Sequence, residues 1–355
     1  MKKFIKFNVV LLTTVCSFFS CNNHVSTINE DLQTRVKKSF REELMKDSAS
    51  GGFVIIMDVH TGQILTSVGF KGDRDGIFAE DTASTFLKGG DTPLMLPISA
   101  LTAIESGKVN MGDSVDTESG VIAAHGRYLY DHNWRRGGYG VISVLDGVKF
   151  GSNIAVYKAV DKVYGSNPKL FYEALKKMDY GKPDSINGIN RLDRNVLQTN
   201  YSSTSLVWNL IGYHQRISPL QMLAFYNAFA NGGKMVAPTY EKGETQVINP
   251  CIAAKQYVNI MLKMFDERMT SFLYPSGKEK PICGYGSLLK SDGRSYLLES
   301  GQPIYDKTLN TAEFCGFWPI TRPKYIVISS IQKYNYPLTW LFNYEYALKL
   351  MKYLK

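Results

Sequence analysis

Leu32, Val36, Phe40 and Leu44 fall four residues apart among charged and polar neighbours, which predicts an amphipathic helix from about Glu30 to Lys46. Two short apolar runs follow, Phe53 to Met57 and Gln63 to Ser67. They flank the polar stretch Asp58 to Gly62, and together they read as a β-hairpin. From Thr92 to Gly233 the patterns are mostly helical, interrupted by glycine-rich loops such as Arg135 to Gly140. Two further strands, Glu313 to Phe317 and Tyr325 to Ser330, bracket Pro319 and Pro323. After Pro337, the spacing of Leu341, Tyr344, Leu348 and Met351 marks a closing helix. Nothing alternates strand and helix as a parallel doubly wound sheet does. The expected fold class is therefore α+β. An antiparallel sheet is flanked by N- and C-terminal helices, and an all-helical subdomain is inserted at about 92–235.

The first residues change the picture. Lys2, Lys3 and Lys6 precede a short apolar stretch from Val9 to Phe19, the pattern of an export signal over 1–20. That stretch is shorter than the roughly 20 apolar residues a membrane span takes. Cys21 follows the small Ser20 and precedes the polar run Asn22, Asn23 and His24. This resembles a bacterial lipoprotein box, with Cys21 as the lipidated first residue, 21–30 as a linker, and the membrane as a partner through the lipid. A plain cleaved signal or an uncleaved anchor is the alternative. The expected location is the cell envelope, on the periplasmic side of a membrane.

The 355 residues, 44% of them hydrophobic, suffice for a full-sized core. Three of the formal +9 charges are leader lysines, so the exported part carries +6. That mild excess suits surface solvation, or attraction to anionic lipid and wall polymer. No basic cluster interleaved with aromatics marks a nucleic-acid surface, and export argues against one. Cys251, Cys283 and Cys315 remain beyond the leader. A Cys251–Cys283 bridge is permitted in an oxidising compartment but not fixed by the sequence. No metal-ligand spacing appears among the cysteines and five histidines, and no cofactor is implied.

Several segments resemble the transpeptidase domain of class B penicillin-binding proteins. They are Asp31-Leu-Gln33 with Gly52 to Leu65, Ala103 to Val109, Ser152 to Lys158, Arg216 to Lys234, and Phe314 to Pro319 with Pro323 to Val327. They run in family order over nearly everything after residue 30, so 31–355 reads as one transpeptidase-like domain. The separate N-terminal module usual in class B members is not expected. Some of these residues have purely structural roles. Ser218 and Pro219 start a helix, and Asn231 to Gly233 ends it.

The resemblance implies three motifs converging on one groove, S-x-x-K, S-x-N and K-T-G. The first sets a serine nucleophile one helical turn from a lysine that accepts its proton. The second relays protons and holds substrate. The third sits on a strand edge and holds the substrate carboxylate. Counting back from Ala103 places Pro93 at the serine and Leu96 at the lysine, with Thr92 as helix cap. Ser84 with Lys88, Thr34 with Lys37, and Ser166 with Lys169 are poor substitutes in spacing or place. The second motif reads Gly151-Ser152-Asn153, with Gly151 in place of the relay serine. Asn153 either faces the groove or caps a helix. The third best matches Glu299-Ser300-Gly301, a charge reversal from lysine; Lys290-Ser291-Asp292-Gly293 is the other placement. Loss of the nucleophile alone costs about a million-fold in a comparable serine enzyme.

The expectation is thus a non-catalytic relative with no catalytic residue. Asn153, Ser300 and Gly301 line a groove that binds or scaffolds peptidoglycan or wall-synthesis proteins. The rival is a divergent acyl-serine transpeptidase using another nucleophile.

Overall fold

A computed structural model describes residues 25–72, 78–81, 90–187, 192, 194–197, 200–273, 282–291, 309–334 and 339–354. Helix α1 (Glu30–Lys46) opens on Asn29, whose side chain accepts from Leu32 N. Its four apolar positions at spacing four are all buried. β1 (Gly51–Asp58) and β2 (Ile64–Gly72) form the expected hairpin. Its turn is built by Asp58, whose Oδ1 accepts from His60 N, Thr61 N and Thr61 Oγ1. Gly62 closes that turn at φ +74, where an added Cβ would lie 2.1 Å from Ala237 O. β3 (Phe78–Glu80) extends the sheet.

The insertion begins with α2 (Leu96–Glu105) and a short strand β4 (Ser114–Asp116). The ribbon β5 (Val121–Ala124) with β6 (Arg127–Tyr130) follows, then β7 (Val141–Ser143), which pairs with β4. Helices α3 (Val144–Phe150), α4 (Asn153–Tyr164), α5 (Lys169–Lys177), α6 (Ser203–Leu210) and α7 (Pro219–Ala230) complete its core. α7 starts as expected, with a capping box between Ser218 and Gln221, and Gly232 and Gly233 have positive φ after it. The insertion is therefore helical in bulk, with two short antiparallel ribbons the helical periodicity does not announce.

It also runs further than residue 235. After β8 (Met235–Val236) and β9 (Val247–Asn249), α8 (Lys255–Leu273) packs against α2, α3 and α7. β10 (Cys283–Ser291), β11 (Leu309–Trp318) and β12 (Tyr325–Tyr334) then return to the sheet, and α9 (Leu341–Met351) closes the chain. In α9 Tyr344 is buried as expected, but the rest of the buried face is Asn343, Tyr346, Ala347 and Leu350.

The sheet order is β10-β11-β12-β1-β2-β3, antiparallel throughout. Its two faces bury two cores. Val54, Ile56, Phe314 and Val327 face α1 and α9, while Phe53, Ile55, Cys315 and Ile328 face the helical lobe. Cys251, Cys283 and Cys315 are free thiols, so the permitted bridge does not form. Among the described residues no helix is long and apolar enough to cross a membrane. Cys21 and the expected leader, residues 1–20, lie outside the described residues.

Candidate functional site

The first motif position is a buried loop rather than a helix cap. α2 begins at Leu96 with Met95 as N-cap and no capping side chain, so Thr92 does not start the helix. Thr92 is used elsewhere. Its hydroxyl donates to Glu313 Oε2 at 3.1 Å and accepts from Leu94 N at 3.2 Å. Its backbone is pinned to Gly212, which carries φ +99 and whose Cβ would lie 1.8 Å from Thr92 O. Pro93 is buried, and Leu96 is 3% exposed within the apolar core. Tyr226 Oη donates to Leu94 O at 2.8 Å and closes the loop from behind.

Glu313 is the residue the sequence reading passed over here. It is a lone carboxylate in the run Leu309–Trp318, and that signal was readable. Burial lifts its carboxyl from the ordinary 4.5 to about 7, against the lowering effect of the Thr92 hydrogen bond. Beside it, Asp91, Thr92, Ser218, Met222 and Ile328 line a small open pocket of about 20 Å³, room for a water. The folded pKa lies above the unfolded one. Between pH 4.5 and 7 the unfolded chain releases this proton while the folded chain keeps it, so stability falls as pH rises. Above pH 7 the loss amounts to about 3 kcal/mol. Glu313→Gln keeps an acceptor for Thr92 and removes the titration. It should raise the urea midpoint at pH 8 and flatten the slope between pH 4.5 and 7. An unchanged midpoint at pH 8 would contradict this assignment.

The second motif position links two helices. Gly151 ends α3 in a left-handed conformation, φ +75, and Ser152 rather than Asn153 caps α4, accepting from Ala155 N. Ser152 Oγ also donates to Asp131 Oδ2 at 2.7 Å, and Ile154 N donates to Asp131 Oδ1. Asp131 is fully buried at this helix start, and burial raises its carboxyl pKa. Asn153 is half-buried and donates from Nδ2 to Tyr130 O at 2.9 Å.

Glu299, Ser300 and Gly301 lie outside the described residues, as do Asp292 and Gly293. Within the described sheet the terminal strand is β10, whose Tyr285 faces the helical lobe while Gly286 faces Trp340. Tyr285 Oη lies 3.5 Å from where a Gly151 Cβ would stand, and no hydrogen-bond partner meets this hydroxyl among the described residues. Between the two segments sits Arg268 of α8, 3% exposed. Its guanidinium donates to Lys149 O and, at 2.6 Å, to Gly286 O. It lies 4.3 Å from the Tyr285 ring centroid and 4.9 Å from that of Trp340. Burial lowers the Arg268 pKa, with Tyr285 opposing that shift, and burial raises that of Tyr285. Behind them Phe265 packs on both Tyr285 and Tyr226, so the buried rings run unbroken from the Leu94 carbonyl to Gly151.

The structure thus brings Gly151 together with β10 through Arg268, and Pro93 together with Glu313 through Thr92. The substitute nucleophiles are not part of this. On α1, Thr34 Oγ1 donates to Glu30 O and Lys37 pairs with Glu80 of β3, while Lys169 pairs with Glu173 on α5. Ser84 and Lys88 lie outside the described residues. No group of three or more metal-ligating side chains occurs among the described residues. Arg268 was legible in part, since it shares the apolar face of its helix with Met261, Met264 and Phe265. A GxG pattern at 284–286 is too common to have marked β10.

Residues 52–340 match the model of the penicillin binding protein transpeptidase domain. Among curated proteins, the chain is 21% identical over 352 residues to the peptidoglycan D,D-transpeptidase FtsI homolog of Mesostigma viride, covering 88% of this chain and 58% of that one. It is 23% identical over 320 residues to the probable peptidoglycan D,D-transpeptidase PbpC of Pseudomonas aeruginosa, covering 85% and 52%. The chain therefore spans little more than half the length of these relatives. Among solved structures, the transpeptidase domain of penicillin-binding protein 3 from Burkholderia pseudomallei is similar at a TM-score of 0.68 and 18% identity, covering 87% and 88%. Penicillin-binding protein 2X from Streptococcus thermophilus is similar at 0.70 and 15%, covering 89% and 49%. At such identities these structures speak to the fold, which they share with the sheet and lobe described above. With a family model matching well over half its length, this chain belongs to the penicillin-binding protein transpeptidase family.

Proposed function

We propose that this protein is a non-catalytic member of its family, an envelope lipoprotein that binds or scaffolds in peptidoglycan synthesis or cell division. The observation that carries the reading is that Pro93, buried, and Leu96, in the apolar core, stand at the positions that the resemblance matches to serine and lysine. A serine enzyme without its nucleophile and base loses about a million-fold in turnover. Arg268 supports the same reading, because its guanidinium already takes up Gly286 O on the terminal strand, a backbone acceptor that an added strand would need.

The rival, an acyl-enzyme with another nucleophile, finds its best geometry in the Thr92–Glu313 pair, a hydroxyl donating to a carboxylate of raised pKa. Thr92 is only 2% exposed, and the adjoining pocket of about 20 Å³ is small. Binding is therefore the better reading. In it Asn153, Ser300 and Gly301 line the groove, and Glu299 repels a stem peptide's free carboxylate and favours a cationic or amidated segment of a wall-synthesis protein. Cys21 carries the lipid anchor.

Crosslinking and pull-down from native envelopes, beside calorimetry with stem peptides, tests this. A wall-synthesis protein should be recovered, with weak stem-peptide binding and a mature mass that starts at a lipidated Cys21. Tight stem-peptide binding unaffected by Glu299→Lys, with no protein recovered, would refute the scaffold reading, and an intact leader would refute the anchor.

A further inference from the structure

The sequence reading finds no basic cluster interleaved with aromatics, yet the fold assembles one. In the β5–β6 ribbon Val121 pairs with Tyr130 and Ala123 with Tyr128. Leu129 is buried beneath, and strand alternation turns Tyr128 and Tyr130 outward. They are 66% and 44% exposed, and Trp134 in the following turn is 40% exposed. Ring centroids lie 6.4 Å apart for Tyr128–Tyr130 and 5.4 Å for Tyr130–Trp134, a continuous strip. Single exposed apolar side chains are ordinary on a surface; contiguous ones mark interaction sites.

The strip is basic. Arg135 lies 5.1 Å from the Trp134 ring centroid, and Arg127 and Arg136 are exposed at its two ends in the chain. Neighbouring carboxylates are engaged elsewhere. Asp131 is buried under Ser152 and Ile154 N, and Glu118 pairs with Lys158. The strip is also held in place before any partner arrives. Asn153 Nδ2 fastens Tyr130 O, and Gly120 lets the Trp134 backbone close in, since a Cβ there would lie 2.9 Å from Trp134 Cα.

We propose that this strip is a docking surface for an acidic peptide segment of a partner protein. The segment's carboxylates meet Arg127, Arg135 and Arg136, and its apolar or aromatic side chains lie on Tyr128, Tyr130 and Trp134. Charge complementarity fixes the sign of the partner, and the guanidinium fork fits carboxylates in two-point contact. Tyr, Trp and Arg are the residue types that dominate binding energy at protein interfaces. The three rings span at most about 12 Å, the reach of about four extended residues. That favours a short segment over a lipid plane. The surface does not depend on whether the groove at Gly151 binds anything.

The test titrates the full chain with four fluorescent probes. They are a random poly(Glu,Tyr) copolymer, its poly(Lys,Tyr) counterpart, oligothymidylate and phosphatidylglycerol vesicles. The expected result is saturable binding of poly(Glu,Tyr) that weakens with salt, and little binding of poly(Lys,Tyr). Arg135→Glu with Arg136→Glu should weaken it at least tenfold, as should Trp134→Ala, with urea midpoints unchanged because all three are exposed. Absent poly(Glu,Tyr) binding, affinity unmoved by these variants, or tighter binding of oligothymidylate or vesicles would overturn the proposal.

Discussion

Leu96→Lys is expected to lower stability by about 3 kcal/mol or more, although the resemblance matches this position to the family's lysine. The reason is what surrounds Leu96. It is 3% exposed, at the start of α2, in the core shared with Ile98, Leu101 and Ile104. An ammonium there loses its hydration among apolar side chains. The lysine should therefore titrate well below its usual range and remain neutral in the folded state. Urea unfolding against pH reads both effects. Stability should recover as pH rises toward the lysine's ordinary pKa, since the folded form binds fewer protons than the unfolded one. A loss under about 1 kcal/mol would show that a partner for the lysine survives, and the first motif would be altered rather than dismantled.

Arg268→Ala is expected to cost about 3 kcal/mol by the same measurement. Two hydrogen bonds from a charged donor, to Lys149 O and Gly286 O, disappear and leave both carbonyls short of a partner. Contact with the Tyr285 and Trp340 rings is lost as well. Relief from burying a cation offsets part of this. Arg268→Lys should fall between, since an ammonium cannot fork to two carbonyls while lying against two rings. The variant also uncovers Gly286 O on the terminal strand. A stem peptide that binds weakly to the parent protein should bind more tightly to Arg268→Ala, and equal affinity would show that Arg268 does not block the groove.

What the sequence disclosed follows from the range of the interactions involved. α1 is local, with a side-chain cap at Asn29 and four apolar residues on one face, so its limits were legible from end to end. The Asp58 turn and the Ser218–Gln221 capping box were legible for the same reason. β4 to β7 were not, because three- and four-residue ribbons carry too few alternations to register. α8 was missed although its spacing is helical, and with it Arg268. The two residues matched to the first motif, Pro93 and Leu96, are buried, and Thr92 does not make the helix cap expected of it. Its true partner, Glu313, is 221 residues away. Pairings of that kind are created by the sheet, and no local pattern records them. The aromatic strip was visible as letters, Arg127 to Arg136, and acquired meaning only when β6 turned alternate rings outward.

Acyl transfer of the family kind is expected to be absent, and covalent labelling by penicillin is the decisive experiment. The purified mature chain, incubated with excess benzylpenicillin, should show an unchanged intact mass. It should likewise show no band with a fluorescent penicillin after denaturing electrophoresis, whereas an acyl-serine enzyme would gain the mass of one antibiotic. Stoichiometric addition of that mass, lost on replacing Thr92, Ser84 or any other hydroxyl by alanine, would contradict the account and identify the nucleophile in the same experiment.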